Sequence, residues 1–178
     1  CLRPHFEMLC GVLQAALSEA TVSVPRAALK AVGAWAGSVL DEGDDANARK
    51  LVSRAREIYD AVQSATPFPP EFGAGVLGGI AAKRAAAKDV EKARNEIVEV
   101  LEIYEEGIQT IPDVFRAKAL RPIAEAAHHT GDPELTNRIV LKVIEAGSTN
   151  PNARPRAEDL ARTLVVLARI GAKPSDEL

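Results

Sequence analysis

The sequence predicts an all-α protein, an α-solenoid of antiparallel helical hairpins with about eight helices. Three observations lead to this prediction. Apolar residues make up 47% of the 178 residues but aromatic residues only 4%, a composition that favours closely packed helices over sheets. Segments with helical apolar spacing follow one another without a convincing alternating strand. Four of these segments repeat one pattern at intervals of about 44 residues.

The repeated pattern is clearest in EDLARTLVVLARIG, residues 158–171, where Gly171 is suited to end the helix in the left-handed conformation. Three other segments have the same order of small and apolar residues, each with a proline near its start: 24–40, 69–85 and 111–129. The alignment equates one apolar position in the four copies: Val32, Leu77, Leu120 and Leu164. It equates a second position in the same way: Trp35, Ile80, Ile123 and Leu167.

Each of the first three copies is followed by a predicted second helix: 48–63, 93–109 and 132–147. The turn before the third has Gly131 as a stop, Asp132 as an N-cap and Pro133 at the first helical position. Residues 4–20 predict the second helix of an earlier, incomplete unit. We therefore predict one helical-repeat domain, 1–178, as a piece of a longer protein. Its units are about 1–22 (partial), 23–66, 67–110, 111–152 and 153–178 (partial).

The charges are unevenly distributed along the chain. A net charge of −3 excludes a globally basic nucleic-acid binder but permits a local basic face. The four predicted first helices, taken as 23–40, 69–88, 112–129 and 154–170, together carry +7, which leaves −10 for the remainder. Because first and second helices of a solenoid form opposite surfaces, the sequence predicts a basic surface facing away from an acidic one. The acidic run at 89–106 is interpreted as a solvated helix face or, alternatively, as an acidic partner surface.

A repeated basic position marks the candidate contact surface. The alignment equates Lys30, Gly75, Lys118 and Arg162, so three of four copies place a cation beside the apolar stripe. Such a ladder of cations would suit a phosphate backbone, although ordinary solubilising charges give the same pattern. The residues that we predict to contact RNA or a protein partner are Arg26, Lys30, Lys118, Arg121, Arg162 and Arg169.

No catalytic or metal-binding motif stands out: GxxxxGK[ST], HExxH, GxSxG and CxxC are absent. His128 and His129 end a predicted helix, where the helix dipole favours histidine. The four glycines of GAGVLGGI at 73–80 are interpreted as points of close helix packing. Cys1 and Cys10 are too few and too isolated for a metal site or a disulfide framework. We therefore expect no enzyme activity, no cofactor and no metal.

The C-terminal stretch PRAEDLARTLVVLARIGAKPSDEL, residues 155–178, resembles the repeat of octotricopeptide-repeat and RAP-type proteins, including the Fas-activated serine/threonine kinase-like family. The matching residues are Asp159, Leu160, Ala161, Leu164, Leu167, Ala168, Gly171, Pro174 and Leu178. DPELTNRIV at 132–140 fits the second helix of the preceding unit. The resemblance implies RNA binding in mitochondria or plastids, in RNA maturation, translation or ribosome assembly. HEAT and armadillo arrays have a similar period and imply a protein partner instead.

Two main functions follow as hypotheses. The first is a non-enzymatic scaffold subunit that mediates protein interactions in a larger assembly, which includes ribonucleoproteins. The second is an organellar RNA-binding repeat protein whose partner is single-stranded or ribosomal RNA; without the resemblance, a cytoplasmic location is expected. A third, a regulatory ligand-binding domain, would need an apolar pocket. No membrane span is expected, since no apolar run reaches the roughly 18 residues required.

The last four residues, SDEL at 175–178, allow two interpretations. A terminal sequence similar to KDEL is an address for retrieval to the endoplasmic reticulum. The same residues also fall where the next second helix is expected to begin, just as GDPEL does at 131–135.

Overall fold

The structure, a computed structural model, describes residues 23–171, with the backbone alone for residues 23–28 and Lys30. This part of the chain contains seven α-helices and no strand. The helices are α1 Ser23–Asp41, α2 Asp45–Ala65, α3 Pro70–Ala86, α4 Val90–Gly107, α5 Asp113–His129, α6 Pro133–Ser148 and α7 Ala153–Ile170. The predicted all-α class is confirmed for these residues. The helix predicted at 4–20, both cysteines and the terminal SDEL lie outside the described residues.

Two helix ends, at Asp132 and at Gly171, lie where the local sequence predicts them. Asp132 is the N-cap of α6, and its side chain accepts a hydrogen bond from the backbone N–H of Leu135 at 2.9 Å. Gly131 precedes this cap with a φ of 73°, and Pro133 occupies the first turn. Gly171 ends α7 with a φ of 70°, the left-handed conformation that glycine adopts without steric cost. These predicted caps are confirmed.

The helices pack in two series. Each helix packs against its neighbours in sequence, and the first helices α1, α3, α5 and α7 also pack on one another in order. Within residues 23–171 the backbones of the second helices, α2, α4 and α6, do not pack together. Long charged side chains join them instead: Arg56 pairs with Glu99 at 2.7 Å, and Lys142 pairs with Glu105 at 2.5 Å. The first helices therefore form the closely packed side of the molecule.

Helices α3 and α5 approach each other closely at Gly78. A β-carbon added at Gly78 would lie 3.1 Å from Pro122 Cβ and 3.1 Å from Ile123 Cγ2. Pro122 lies inside α5, which continues through it to His129 although proline cannot donate a helical hydrogen bond. A glycine at 78 thus permits the approach of α5, as we predicted for the glycines of 73–80.

We expect Gly78→Ala to lower the free energy of unfolding by about 1–3 kcal/mol, because the new methyl group meets a proline ring and a β-branched side chain, both stiff. Gly79→Ala is the matched control. No atom lies within 4 Å of a β-carbon at Gly79, so improved helix propensity should raise stability by up to ~1 kcal/mol. Urea denaturation followed by circular dichroism measures both values. Equal effects would contradict the close approach of α3 and α5.

The core consists mainly of aliphatic side chains and alanine. At the position that the alignment equates, Leu77 and Leu120 are 0% exposed and Val32 is 2% exposed. Leu164 differs, with 59% exposure, because α7 packs only against α5 and α6 among the described helices. None of the helices in residues 23–171 combines the length and apolar character needed to cross a lipid bilayer.

Candidate binding surface on the first helices

The predicted contact residues whose side chains the structure describes differ in their exposure and in their pairing. Lys118 is exposed, and its Nζ lies 5.8 Å from the centre of the Phe115 ring. Arg162 is exposed, with its guanidinium 3.9 Å from the carboxylate of Glu158. The side chains of Arg26 and Lys30 lie outside the part of the chain that the structure describes.

Arg121 and Arg169 come together, but in ion pairs. Arg121 is only 8% exposed and donates hydrogen bonds to Asp159, to Oδ1 at 3.0 Å and to the backbone oxygen at 3.3 Å. The contact role predicted for Arg121 stays a prediction, and in the structure its guanidinium links α5 to α7. Arg169 joins the same two helices by pairing with Glu125.

Most cations of the first helices are neutralised within the chain. The pairs are Arg84 with Glu96, Arg116 with Asp113, Arg121 with Asp159, Arg154 with Glu158 and Arg169 with Glu125. Among the first-helix cations whose side chains are described, those without a carboxylate partner are Lys83, Lys118 and Arg156. A phosphate backbone would have to compete with these carboxylates, so the count of basic residues overstates the positive potential of this surface.

Glu96, predicted on the solvated face of 89–106, is instead buried. It is 5% exposed, and its two carboxylate oxygens share a bifurcated hydrogen bond from the single Nε–H of Arg84, at 2.9 and 3.0 Å. Burial raises the pKa of Glu96, and the neighbouring Arg84 opposes that shift. Arg84 also contacts Asp89 and Ser53, so these charges tie α2, α3 and α4 together. The remaining glutamates of the run include four that are exposed as predicted: Glu91, Glu102, Glu105 and Glu106.

An open cavity of about 590 Å³ lies between α1 and α3, with part of its lining from α2. This cavity is termed the apolar recess because, with one exception, its lining residues are aliphatic, aromatic or glycine. The exception is Lys83. Phe72 and Ile80 contribute large side chains to the walls, whereas Gly33, Gly75 and Gly79 contribute none. The sequence hypothesis of a ligand-binding domain required an apolar pocket, and the structure contains one.

A second cavity, of about 520 Å³, is termed the polar recess and is lined by residues of all four first helices. It contains charged groups of both signs, among them Asp41, Glu125 and Arg169. The two recesses share Gly79 and Lys83, so they adjoin. The first-helix side therefore presents an apolar depression at α1 and α3 that leads into a charged one towards α5 and α7.

The apolar recess exists because α3 lacks side chains where α5 and α7 have them. The alignment equates Gly75 with Lys118, and Gly79 with Pro122 and Val166. No atom lies within 4 Å of a β-carbon built at Gly75 or Gly79, so both glycines border open space. Sequence reasoning attributed the glycines of 73–80 to helix packing alone. The signal that could have indicated a recess is that the equivalent positions of the other copies have larger side chains: Lys118, Pro122 and Val166.

The described residues offer no arrangement for metal chemistry: no group of three or more His, Cys, Asp or Glu side chains is placed to hold a metal ion. His128 and His129 end α5 as predicted, with their ring centres 5.7 Å apart.

Comparisons with known proteins return no match to this chain, whether with family models, with curated proteins or with solved structures. The resemblance of 155–178 to octotricopeptide repeats therefore stays a prediction based on those residues alone. What the chain binds has to be argued from the chemistry of its own surface.

Proposed function

We propose that this chain is a non-enzymatic helical-repeat scaffold whose first helices form a docking surface for a protein partner in a larger assembly. The observation that carries this proposal is the apolar recess on a side where most described cations are already neutralised. Buried apolar area drives most protein association, whereas RNA affinity depends on cations that are free to replace counterions. The first-helix surface offers apolar area in the recess but few cations that are free to bind phosphate.

The packing order supports an α-solenoid with a repeat of about 44 residues as the architecture of this scaffold. Each first helix packs on the next, and each second helix packs beside its own first helix. Ion pairs between successive units span 37 to 44 residues, among them Lys142 with Glu105 over 37, Arg56 with Glu99 over 43 and Arg169 with Glu125 over 44. A solenoid of this kind offers an extended surface that suits protein docking.

The alternative function, RNA binding in an organelle, rests on Lys118 and Arg162. Both are exposed, and the alignment places them at equivalent positions, so they could contact phosphates one repeat apart. Exposed aromatic rings for base stacking are scarce beside them, with Phe115 at 39% exposure. This arrangement favours a weak, salt-sensitive interaction at most.

An RNA titration separates the two functions. We expect a fluorescent mixed-sequence single-stranded RNA to bind no more tightly than the roughly 10⁻⁴–10⁻⁶ M typical of non-specific contacts. We also expect Lys118→Glu with Arg162→Glu to change this affinity no more than Lys50→Glu with Lys92→Glu, the same charge change on the second helices. Fluorescence anisotropy at two salt concentrations provides the measurement. Tight binding that only the first pair of substitutions abolishes would establish the RNA function instead.

A peptide selection tests the docking function directly. We expect random peptides selected on the immobilised chain to protect amides of α1 and α3 from hydrogen exchange more than amides of α2 and α4. Protection confined to the second helices would place the docking surface on the opposite side of the molecule and contradict the proposal.

A further inference from the structure

Lys83 occupies an unusual place between the two recesses. It extends from α3 towards α1, where its Cε lies 3.8 Å from a β-carbon built at Gly33 and its Nζ lies 3.2 Å from one built at Gly37. The glycines of α1 thus leave room for the lysine to lie across the gap between the helices. Gly33 lines the apolar recess and Gly37 lines the polar recess, so the ammonium group lies at the boundary between the two.

No described residue pairs with this ammonium group. Lys83 is half-buried, yet no hydrogen bond or ion pair joins it to any side chain or carbonyl in residues 23–171. A cation that is partly removed from water without a partner is destabilising, and an anionic group that approaches it offsets that cost. The neighbouring cations Arg84 and Arg121 differ from Lys83, because each of them pairs with a buried carboxylate.

We propose that the apolar recess binds an acidic amphipathic helix of a protein partner, whose apolar side chains fill the recess while one carboxylate pairs with Lys83. This inference rests on the proposed docking function and specifies its partner. The charge of the occupant follows from the single cation among apolar lining residues. The volume of the apolar recess, about 590 Å³, lies within the range of cavities that bind ligands in proteins.

The helical form of the occupant follows from the walls of the recess. Extended segments bind proteins mainly by adding a strand to a sheet edge, and residues 23–171 contain no strand. Helices instead dock in grooves between helices, with apolar anchors at positions i, i+3 or i+4, and i+7. Gly75 and Gly79, four residues apart on α3, present bare backbone to the recess and permit a helix to approach closely.

The test uses peptides of 20 random residues, selected by messenger-RNA display on the complete chain. Affinities of the enriched peptides for four variants are then measured by fluorescence anisotropy. Lys83→Glu reverses the charge at the recess, and Gly79→Leu fills it. Lys50→Glu and Ala61→Leu are the matched controls, because both residues are exposed on α2.

Enriched peptides are expected to carry helically spaced apolar residues and an Asp or Glu. Lys83→Glu and Gly79→Leu are each expected to weaken binding at least about tenfold, and the controls less than about twofold. Exchanging the peptide's acidic residue for lysine should restore affinity for Lys83→Glu. Peptides that bind all four variants equally would overturn this inference and leave the docking function standing, whereas a selection without binders would overturn both.

Two other occupants would also overturn the inference. If a second copy of the chain fills the recess, light scattering will show a dimer that Gly79→Leu converts to a monomer. If residues 1–22 fill it, Gly79→Leu will displace them and lower the thermal unfolding midpoint relative to Ala61→Leu. An unfilled recess predicts neither change, since leucine at 79 then enters open space.

Discussion

Arg84→Met is expected to destabilise the protein by about 3–5 kcal/mol, because it leaves Glu96 buried without its main counter-charge. Glu96 is 5% exposed, and both of its carboxylate oxygens accept the bifurcated hydrogen bond of Arg84 Nε. Arg56 Nη1 lies 4.0 Å from the same carboxylate and retains part of the compensation, which places the effect towards the lower end of the range. Urea denaturation of the wild-type chain and the variant measures the loss.

The double variant Arg84→Met with Glu96→Leu shows whether the unpaired charge is the cause. It replaces both ions by apolar side chains of similar size, a change that is often nearly neutral in protein interiors. We therefore expect it to recover most of the stability that Arg84→Met loses. The control is Arg154→Met, which removes the exposed pair with Glu158 and should cost less than about 1 kcal/mol. If the double variant is as unstable as the single one, lost packing around Arg84 and not the unpaired charge of Glu96 causes the loss of stability.

The same variants have a distinct pH dependence. Burial raises the pKa of Glu96, and removing Arg84 takes away the largest opposing influence. A carboxyl group whose pKa is higher in the folded state binds its proton more tightly there, so stability increases as pH falls towards the ordinary value of 4.5. The deficit of Arg84→Met relative to the double variant should therefore shrink between about pH 7 and about pH 5. A constant deficit would exclude Glu96 as its source.

The sequence predicted the helices well because the signals that set them act over a few residues. Asp132 caps a helix through the amide three residues later, and Gly171 ends one through its own backbone conformation. Apolar periodicity likewise identified Leu77 and Leu120 as buried. Periodicity marks the side of a helix that favours burial but carries no information on what covers it, and Leu164 is accordingly exposed.

Charged residues at interfaces between helices could not be predicted in this way. Glu96 bonds to a residue 12 positions away, and Arg121 to one 38 positions away. These pairs form only after the helices have packed, and each charged residue by itself reads as part of a solvated face. The apolar recess has the same origin, since it depends on the separation of α1 and α3 and on where Lys83 extends. The sequence therefore predicted that the candidate site lies on the first helices, but it predicted neither the apolar recess nor the ion pairs between helices.

Leu120→Ala is expected to cost about 2–5 kcal/mol, because it removes atoms from a fully buried side chain and leaves a cavity. Leu164→Ala makes the same chemical change at the position that the alignment equates, and there we expect about 0.5 kcal/mol or less. The physical difference is the number of covering helices. Among the helices of residues 23–171, α5 packs against α3, α4, α6 and α7, whereas α7 packs against α5 and α6 alone. Urea denaturation of both variants provides the comparison.

The outcome for Leu164→Ala determines what covers α7 in solution. A cost close to that of Leu120→Ala would mean that Leu164 is buried there, beneath residues outside 23–171 or beneath a second copy of the chain. Only burial by a second copy makes the unfolding midpoint depend on protein concentration. A small cost leaves Leu164 and Val165, 59% and 66% exposed, as an apolar face that a further helix would bury in the way that the solenoid buries Leu120.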